Sequence, residues 1–409
     1  MTYLHRRAFL ASAAALGASP LFDAARAHAA GRVKITGLRQ VPLKVLRKVG
    51  TYPDFLNRPR EVNVGGGAFL EVQTDAGITG IGPDIDPNLL KAANDLLVGQ
   101  DPFDINLLAA RLYLLPTGAN TVSMPVKFRG GASAEIAVWD LIGKLANQPL
   151  YKLWGGGRDA IAGYASMLRL STPEERAEQG MRQKAAGWKA MKLRAGYPTM
   201  AEDIRLMEVV RKAVGDDFML MADANKAILQ YGVINGVRWD YPRAVQTALA
   251  YQKLGVWLLE EPFERTDYDH MADLNRQISM NLAGGEGNRG IEEFRKLLDD
   301  CYDVVQPEIM ITGVRQMQQI AVMAESRNRM CMPHQGDSRL GTIATMHLVA
   351  SWPETVAPMF EIFNDTPVGD YTYPFEIFEK PPVMGKDGLF AMPDAPGLGM
   401  TIRQDAIGA

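Results

Sequence analysis

One repeated pattern limits the possible folds of this chain more than any other. Short apolar segments, each followed by a stretch of helical periodicity, recur from about residue 160 onward. The segments are 162–167 (AGYASM), 188–194 (WKAMKLR), 218–223 (FMLMAD), 256–260 (VWLLE), 281–286 (NLAGGE), 303–306 (DVVQ), 329–334 (RMCMPH) and 357–361 (APMFE). Their starts lie 22 to 38 residues apart, which accommodates one strand, one helix and two short loops. Eight such units predict a closed parallel (β/α)8 barrel of the TIM type within an α/β fold; a doubly wound open sheet is the competing arrangement. No glycine fingerprint for a dinucleotide follows any of the segments.

Ahead of the barrel the pattern differs. Residues 33–45 and 68–74 alternate as strands do, and the turn Asp75-Ala76-Gly77 leads into a third strand, ITGIGP. Gly50 to Gly67, rich in Gly, Pro, Arg and Asn, reads as a long loop of the kind that forms lids or binding loops. From about 88 to 148 the periodicity is helical. The predicted division is therefore an α+β domain over 30–157, the barrel over 158–380, and an irregular tail over 381–409, rich in Pro, Gly and Met.

Residues 1–29 stand apart. Paired arginines in His5-Arg6-Arg7-Ala8-Phe9-Leu10 precede small and apolar residues from Ala11 to Leu21, and Ala27-His28-Ala29 supplies a small-x-small cleavage pattern. This resembles a twin-arginine (Tat) signal peptide, which implies passage through the Tat translocase and a periplasmic location. A disordered or helical arm is the other reading. The run is too short to span a bilayer, so no membrane association is expected after export. Over the 409 residues, 47% are hydrophobic and 22% charged, ample for a large core. The net charge of −3 leaves no basic stripe for nucleic acid. Cys301 and Cys331 fall on neighbouring predicted strands at heights differing by on the order of 13 Å, which predicts two buried thiols and no disulfide.

The chemistry gathers at the strand ends. The third strand ends in Asp223, the fourth in Glu260 and Glu261, the fifth in Glu286. In a barrel these ends share one face, where three carboxylates would repel and raise one another's pKa values unless a cation lay between them. Three oxygen ligands with room for water and substrate suit Mg²⁺ better than zinc. Acids that merely cap helices are the bland alternative. On the second strand, alternation turns Lys192 and Arg194 into the barrel mouth, opposite those anions, which suits an anionic substrate between them. His334 closes strand seven and is the one histidine placed on this face; it reads as a general base. His347, in an apolar helix, reads as packed, and His270 as exposed. Glu308, just past strand six, could orient the imidazole or be a solvated helix-start acid. Glu361 closes strand eight and completes the ring.

These features together resemble the mandelate racemase branch of the enolase superfamily, within the mandelate racemase/muconate lactonizing enzyme family. The resemblance covers nearly the whole chain after the signal. It shows in ASAEIAVWDLIGKLANQPLYKLWGG, WKAMKLRAGYP, VRKAVGDDFMLMADAN, WLLEEPF and GGEGN. It implies that the α+β domain caps the barrel, with the tail returning to it, and that Mg²⁺ is held by Asp223, Glu260 and Glu286. Asn225 matches a substrate-contacting position and Glu361 one that hydrogen-bonds the substrate carboxylate. It also suggests a symmetric homo-oligomer. Two departures stand out: the usual KxK pair of strand two is here Lys192 and Arg194, and the usual Asp partner of the base histidine is here Glu308.

The chemistry common to this superfamily is removal of a proton α to a carboxylate, with the metal, Lys192 and Glu361 stabilising the enediolate. Racemisation needs a proton carrier on each face, and arginine, with a pKa above about 12, is a poor base. One face then lacks a base while His334 serves the other. This favours a lyase that eliminates the β-hydroxyl of a small hydroxylated carboxylate, an acid-sugar dehydratase. A racemase or epimerase would give a product of unchanged mass, a cycloisomerase would need a lactone or unsaturated acid, and an exported binding protein would bind without turnover. Arg58, Arg60 and Arg129 are further candidates for substrate contact.

Overall fold

The computed structural model describes residues 32–53, 59–115, 130–227, 237–336, 339–365 and 371–408. The signal segment, Arg58 and Arg129 lie outside these residues, as does the side chain of Arg60.

The first domain is built on a three-stranded antiparallel sheet in the order β1-β4-β5, where β1 is Ile35–Pro42, β4 Ala68–Thr74 and β5 Thr79–Pro83. Where a long loop was expected between Gly50 and Gly67, the chain forms an antiparallel hairpin of β2 (Val45–Pro53) and β3 (Pro59–Gly65). The physical reason is visible in the sequence: Val62 and Val64 alternate with Glu61 and Asn63, and Val64 is fully buried. The hairpin ends at Gly65, Gly66 and Gly67, all at positive φ; a Cβ on Gly65 would lie 2.1 Å from the Lys44 carbonyl oxygen. Arg339 of the barrel donates to the Gly66 and Gly65 carbonyls at 3.2 and 2.9 Å, fastening the hairpin to the barrel rim.

Helices α1 (Pro87–Leu97), α2 (Ile105–Leu112) and α3 (Gly131–Leu145) complete this domain. Helix α3 is buried over most of its circumference, because it packs on the sheet with one face and on the barrel with the other. Gly80 and Gly82 of β5 permit the approach: a Cβ on either would collide with the α3 backbone at 2.2 and 2.5 Å. Asp140, buried in α3, accepts from Ile81 N at 2.7 Å and from Leu398 N at 2.7 Å, so one carboxylate joins helix, sheet and tail.

After the short helix α4 (Leu150–Leu153), parallel strands alternate with helices. The strands are β6 (Ala160–Ser166), β7 (Ala190–Arg194), β8 (Met219–Asp223), β9 (Val256–Glu260), β10 (Asn281–Gly284), β11 (Val304–Val305), β12 (Met330–Cys331) and β13 (Met359–Phe363). The intervening helices are α5 (Pro173–Ala185), α6 (Met200–Val214), α7 (Tyr241–Lys253), α8 (Tyr268–Gln277), α9 (Gly290–Lys296), α10 (Ile309–Glu325) and α11 (Arg339–Ser351). From β6 to β12 each strand pairs in parallel with the next, and β13 returns to pair with β6, leaving β12 and β13 as the two ends of the curled sheet. Cys331 N donates to the Val356 carbonyl at 2.8 Å across the seam between β12 and the segment leading into β13. Every unit contributes to one buried interior cluster: Tyr164, Ala190, Met221, Leu258, Ala283, Val304, Met332 and Met359. The lumen is therefore a packed core, and any site must sit at its mouth.

The tail closes the structure. Strand β14 (Leu389–Ala391) adds to β6 antiparallel, Lys44 N donates to Ala406 O and Gly408 N to Pro42 O, both at 2.8 Å. Both cysteines are free and buried. Cys331 lies in β12 as expected, but Cys301 does not lie on a strand: it ends the widened helical turn Leu297–Cys301, its thiol facing the Tyr268 carbonyl at 3.6 Å. Strand β11 is too short to reach back to it.

Candidate active site at the barrel mouth

The strand register sets the site. Arg194, Asp223 and Glu260 are successive Cα partners across β7, β8 and β9, so their side chains emerge side by side at the C-terminal rim. Glu286 follows two residues after β10, and Glu308 and His334 form an isolated parallel bridge beyond β11 and β12. Asn225, two residues after β8, and Glu261, directly after β9, both adopt left-handed backbone, at φ 48° and 44°. Non-glycine residues held there are costly and cluster at working sites.

Lys192 lies at the centre, 2% exposed, with its Nζ 2.5 Å from Glu260 Oε2 and 2.8 Å from Glu361 Oε1. Gln306 Nε2 donates to the same Glu260 oxygen at 2.8 Å, and Gln335 N donates to Glu361 Oε2 at 3.0 Å. Arg194 forms an ion pair with Asp223, which also accepts from Asn225 N at 2.8 Å and Asn225 Nδ2 at 3.0 Å. His334 bridges two acids: Nδ1 is 2.9 Å from Glu308 Oε2 and Nε2 is 3.2 Å from Glu286 Oε2. Glu308 is itself fixed, Oε1 accepting from Met310 N at 2.9 Å and Oε2 from Gly336 N at 2.6 Å.

Crowding of charge shows in the proton affinities. Burial, then the Asp223 charge, pushes Glu260 up to about 7 despite Lys192. Burial and Glu286 raise Glu261 well above the carboxylate range. Glu361 goes the other way: against burial, Lys192 and His334 hold it down at about 2. Burial would lower His334, but Glu286, Glu308 and Glu361 outweigh it and lift the imidazole to about 10.

The sequence-predicted residues Lys192, Arg194, Asp223, Asn225, Glu260, Glu286, Glu308, His334 and Glu361 all stand on this rim. His347 is buried in α11, and His270 is exposed and paired with Asp267. Sequence reasoning missed Gln306, Gln335 and Tyr164, whose ring lies 5.6 Å beneath the Lys192 ammonium. Gln306 was within reach of the same strand-end rule that found the acids, since it is the first residue after β11.

The donor set fits a hard cation by its chemistry: carboxylate oxygens from three neighbouring strands, with Glu260 Oε1 and both Glu261 oxygens buried and lacking any hydrogen-bond partner. As the side chains stand, Lys192 and Gln306 hold Glu260 Oε2, Arg194 and Asn225 hold Asp223, and His334 lies against Glu286 Oε2. Among the described residues no group of three or more His, Cys, Asp or Glu is arranged to hold a metal ion.

A parallel barrel with acids, a lysine and a carboxylate-bound histidine at its mouth, beneath an antiparallel cap, defines a class of enzymes that move protons next to carboxylates. Residues 175–406 match the family described as Enolase C-terminal domain-like, and residues 62–155 match the Mandelate racemase / muconate lactonizing enzyme, N-terminal domain. The chain belongs to the enolase superfamily, in the mandelate racemase/muconate lactonizing enzyme family. It is 27% identical to an arabinonate dehydratase of Saccharolobus solfataricus, over 81% of this chain and 87% of that one. It is 29% identical to an L-talarate/galactarate dehydratase of Salmonella typhimurium, over 77% and 73%. Cycloisomerases are similar to it as well. Among solved structures, D-glucarate dehydratase from Agrobacterium tumefaciens, determined in complex with magnesium, shares the fold at a TM-score of 0.76 and 23% identity, covering 91% of this chain and 97% of that one.

Proposed function

We propose that this protein is a Mg²⁺-dependent acid-sugar dehydratase. The observation that carries the reading is the contrast between the two sides of the barrel mouth: His334 is held through Nδ1 by Glu308, while Arg194, where a second base would stand, is committed to Asp223. The dehydratases among its relatives support it.

Asp223, Glu260 and Glu286 are the residues that would hold the cation. Bound there, Mg²⁺ would neutralise the crowded acids and draw electron density from the substrate carboxylate. Lys192, its ammonium held in place by Glu361, donates to that carboxylate, and Asn225 orients it. His334 takes the α-proton through Nε2, while Glu308 accepts from Nδ1 and stabilises the resulting imidazolium. The C–H electron pair forms the double bond as the β-hydroxyl departs. The imidazolium returns its proton to that leaving group, releasing water, and the enol product tautomerises to a 2-keto acid.

The N-terminal sequence supports a second element of the proposal, export through the Tat translocase to the periplasm, in keeping with an enzyme that folds before crossing the membrane. The enzymatic test is direct. Purified protein with Mg²⁺ is assayed against a panel of acid sugars for 2-keto-acid formation, and His334→Asn is assayed for exchange of the substrate α-proton with deuterium. Turnover of at least one acid sugar and loss of exchange in the variant are expected. Products of unchanged mass would mean racemisation or epimerisation instead.

A further inference from the structure

Glu135 lies in α3 of the cap, 4% exposed, and points into the barrel domain. Its Oε2 accepts from Val314 N at 3.1 Å and its Oε1 from Arg315 N at 2.8 Å. These two donors are exposed to it because α10 breaks at Gly313, where φ is 69° and ψ 173°. A Cβ on Gly313 would fall 2.2 Å from Glu135 Oε2, so the glycine opens the place the carboxylate fills. The stretch from Glu308 to Gly313 is a single turn pinned at both ends. At its start the Glu308 carbonyl accepts from Ile311 N and Thr312 N, each at 3.0 Å, and Glu308 Oε1 accepts from Met310 N. At its end stands Glu135. The turn borders a cavity of about 280 Å³, lined by Tyr113, Glu135, Thr312, Arg315 and Gln316 among others, so close packing alone does not hold it.

We propose that Glu135 is a positioning residue for proton transfer: by fixing the far end of the 308–313 turn from the cap, it holds Glu308 in register with His334. The inference rests on the reading of His334 as base. It makes the cap part of the catalytic geometry even where it touches no substrate. Hydrogen-bond partners one step removed from a reacting group commonly change rates by about 10- to 100-fold.

A double-mutant cycle on α-proton exchange, normalised to folded protein, tests this. Glu135→Gln in the otherwise native enzyme is expected to slow exchange about tenfold. In a Glu308→Gln background the same change is expected to cost less than about twofold, because the residue it acts through is already gone. Equal losses in both backgrounds, or none in the native one, would overturn the proposal. Asp140→Asn removes an equally buried carboxylate from the same helix, bonded to Ile81 and Leu398 instead. It is expected to exchange at the native rate per folded molecule, and a loss matching that of Glu135→Gln would also overturn the proposal. Glu135→Asp runs through the same cycle and keeps the test open if the glutamine variant does not fold. Exchange that survives in His334→Asn would instead refute the base assignment, a different failure from additive losses at Glu135.

Discussion

Nδ1 of His334 lies 2.9 Å from Glu308 Oε2, two residues brought together by a parallel bridge beyond adjacent strands. The contact fixes which ring nitrogen faces inward and leaves Nε2 toward the metal-side acids. Glu308→Gln keeps the shape but removes the charge that supports an imidazolium. Exchange of the substrate α-proton, followed by NMR in D₂O, should fall on the order of 10²-fold, the usual contribution of general-base catalysis. An unchanged rate would remove Glu308 from the mechanism.

Metal binding should retune the same imidazole. With Glu286, Glu308 and Glu361 raising it against burial, His334 is lifted to about 10, where it is protonated at neutral pH and cannot act as a base. A cation bound at Glu286 cancels the first of those charges, and the pKa must fall. Histidine ¹⁵N spectra should therefore show His334 titrating near 10 in chelator-treated protein and at lower pH once Mg²⁺ is added. No movement on adding Mg²⁺ would exclude Glu286 as a ligand.

Lys192→Met should be severely destabilising. It would leave Glu260 and Glu361 buried without their cation, and breaking a buried pair from one side typically costs about 3–5 kcal/mol. Urea unfolding of the metal-free protein measures this. A loss below about 1 kcal/mol would show that the acids already share protons in the folded state.

His347 supplies a pH signature. Its Nδ1 accepts from Tyr151 N at 3.2 Å, Nε2 faces the Leu398 carbonyl at 3.2 Å, and burial pushes it down to about 4. The unfolded chain protonates near 6.5, so the stabilising effect is complete above that pH and disappears as pH falls through 4. The loss is up to ~3 kcal/mol. Unfolding of His347→Gln should show a correspondingly weaker dependence between pH 7 and 4.

The sequence revealed the barrel because eight buried parallel strands need short apolar runs at regular intervals, a pattern visible without knowing which strand pairs with which. The same regularity exposed the site, since polar residues that end such runs have few structural reasons to be there. Asp223 and Glu260 were readable on that ground. Gln306 stands at such a strand end too, but an uncharged side chain there carries no electrostatic anomaly, and Gln335 is equally silent. The β2–β3 hairpin was hidden for a different reason. A two-stranded ribbon has one partner and little buried surface, so its Gly-, Pro- and Arg-rich composition resembles a loop, and only Val62 and Val64 betray it. The role of Glu135 was equally invisible, because it depends on a helix break 178 residues away in sequence at Gly313.

The seam formed by Lys44 with Ala406 and Pro42 with Gly408 has a consequence for biogenesis. The end of the opening strand of the cap and the residues just after it gain these main-chain partners only from a much later stretch of the same polypeptide. Native closure must therefore wait until residues 406–408 have been made, and before that point the edge stays open to other molecules, a hazard removed once those late residues fasten onto the early ones.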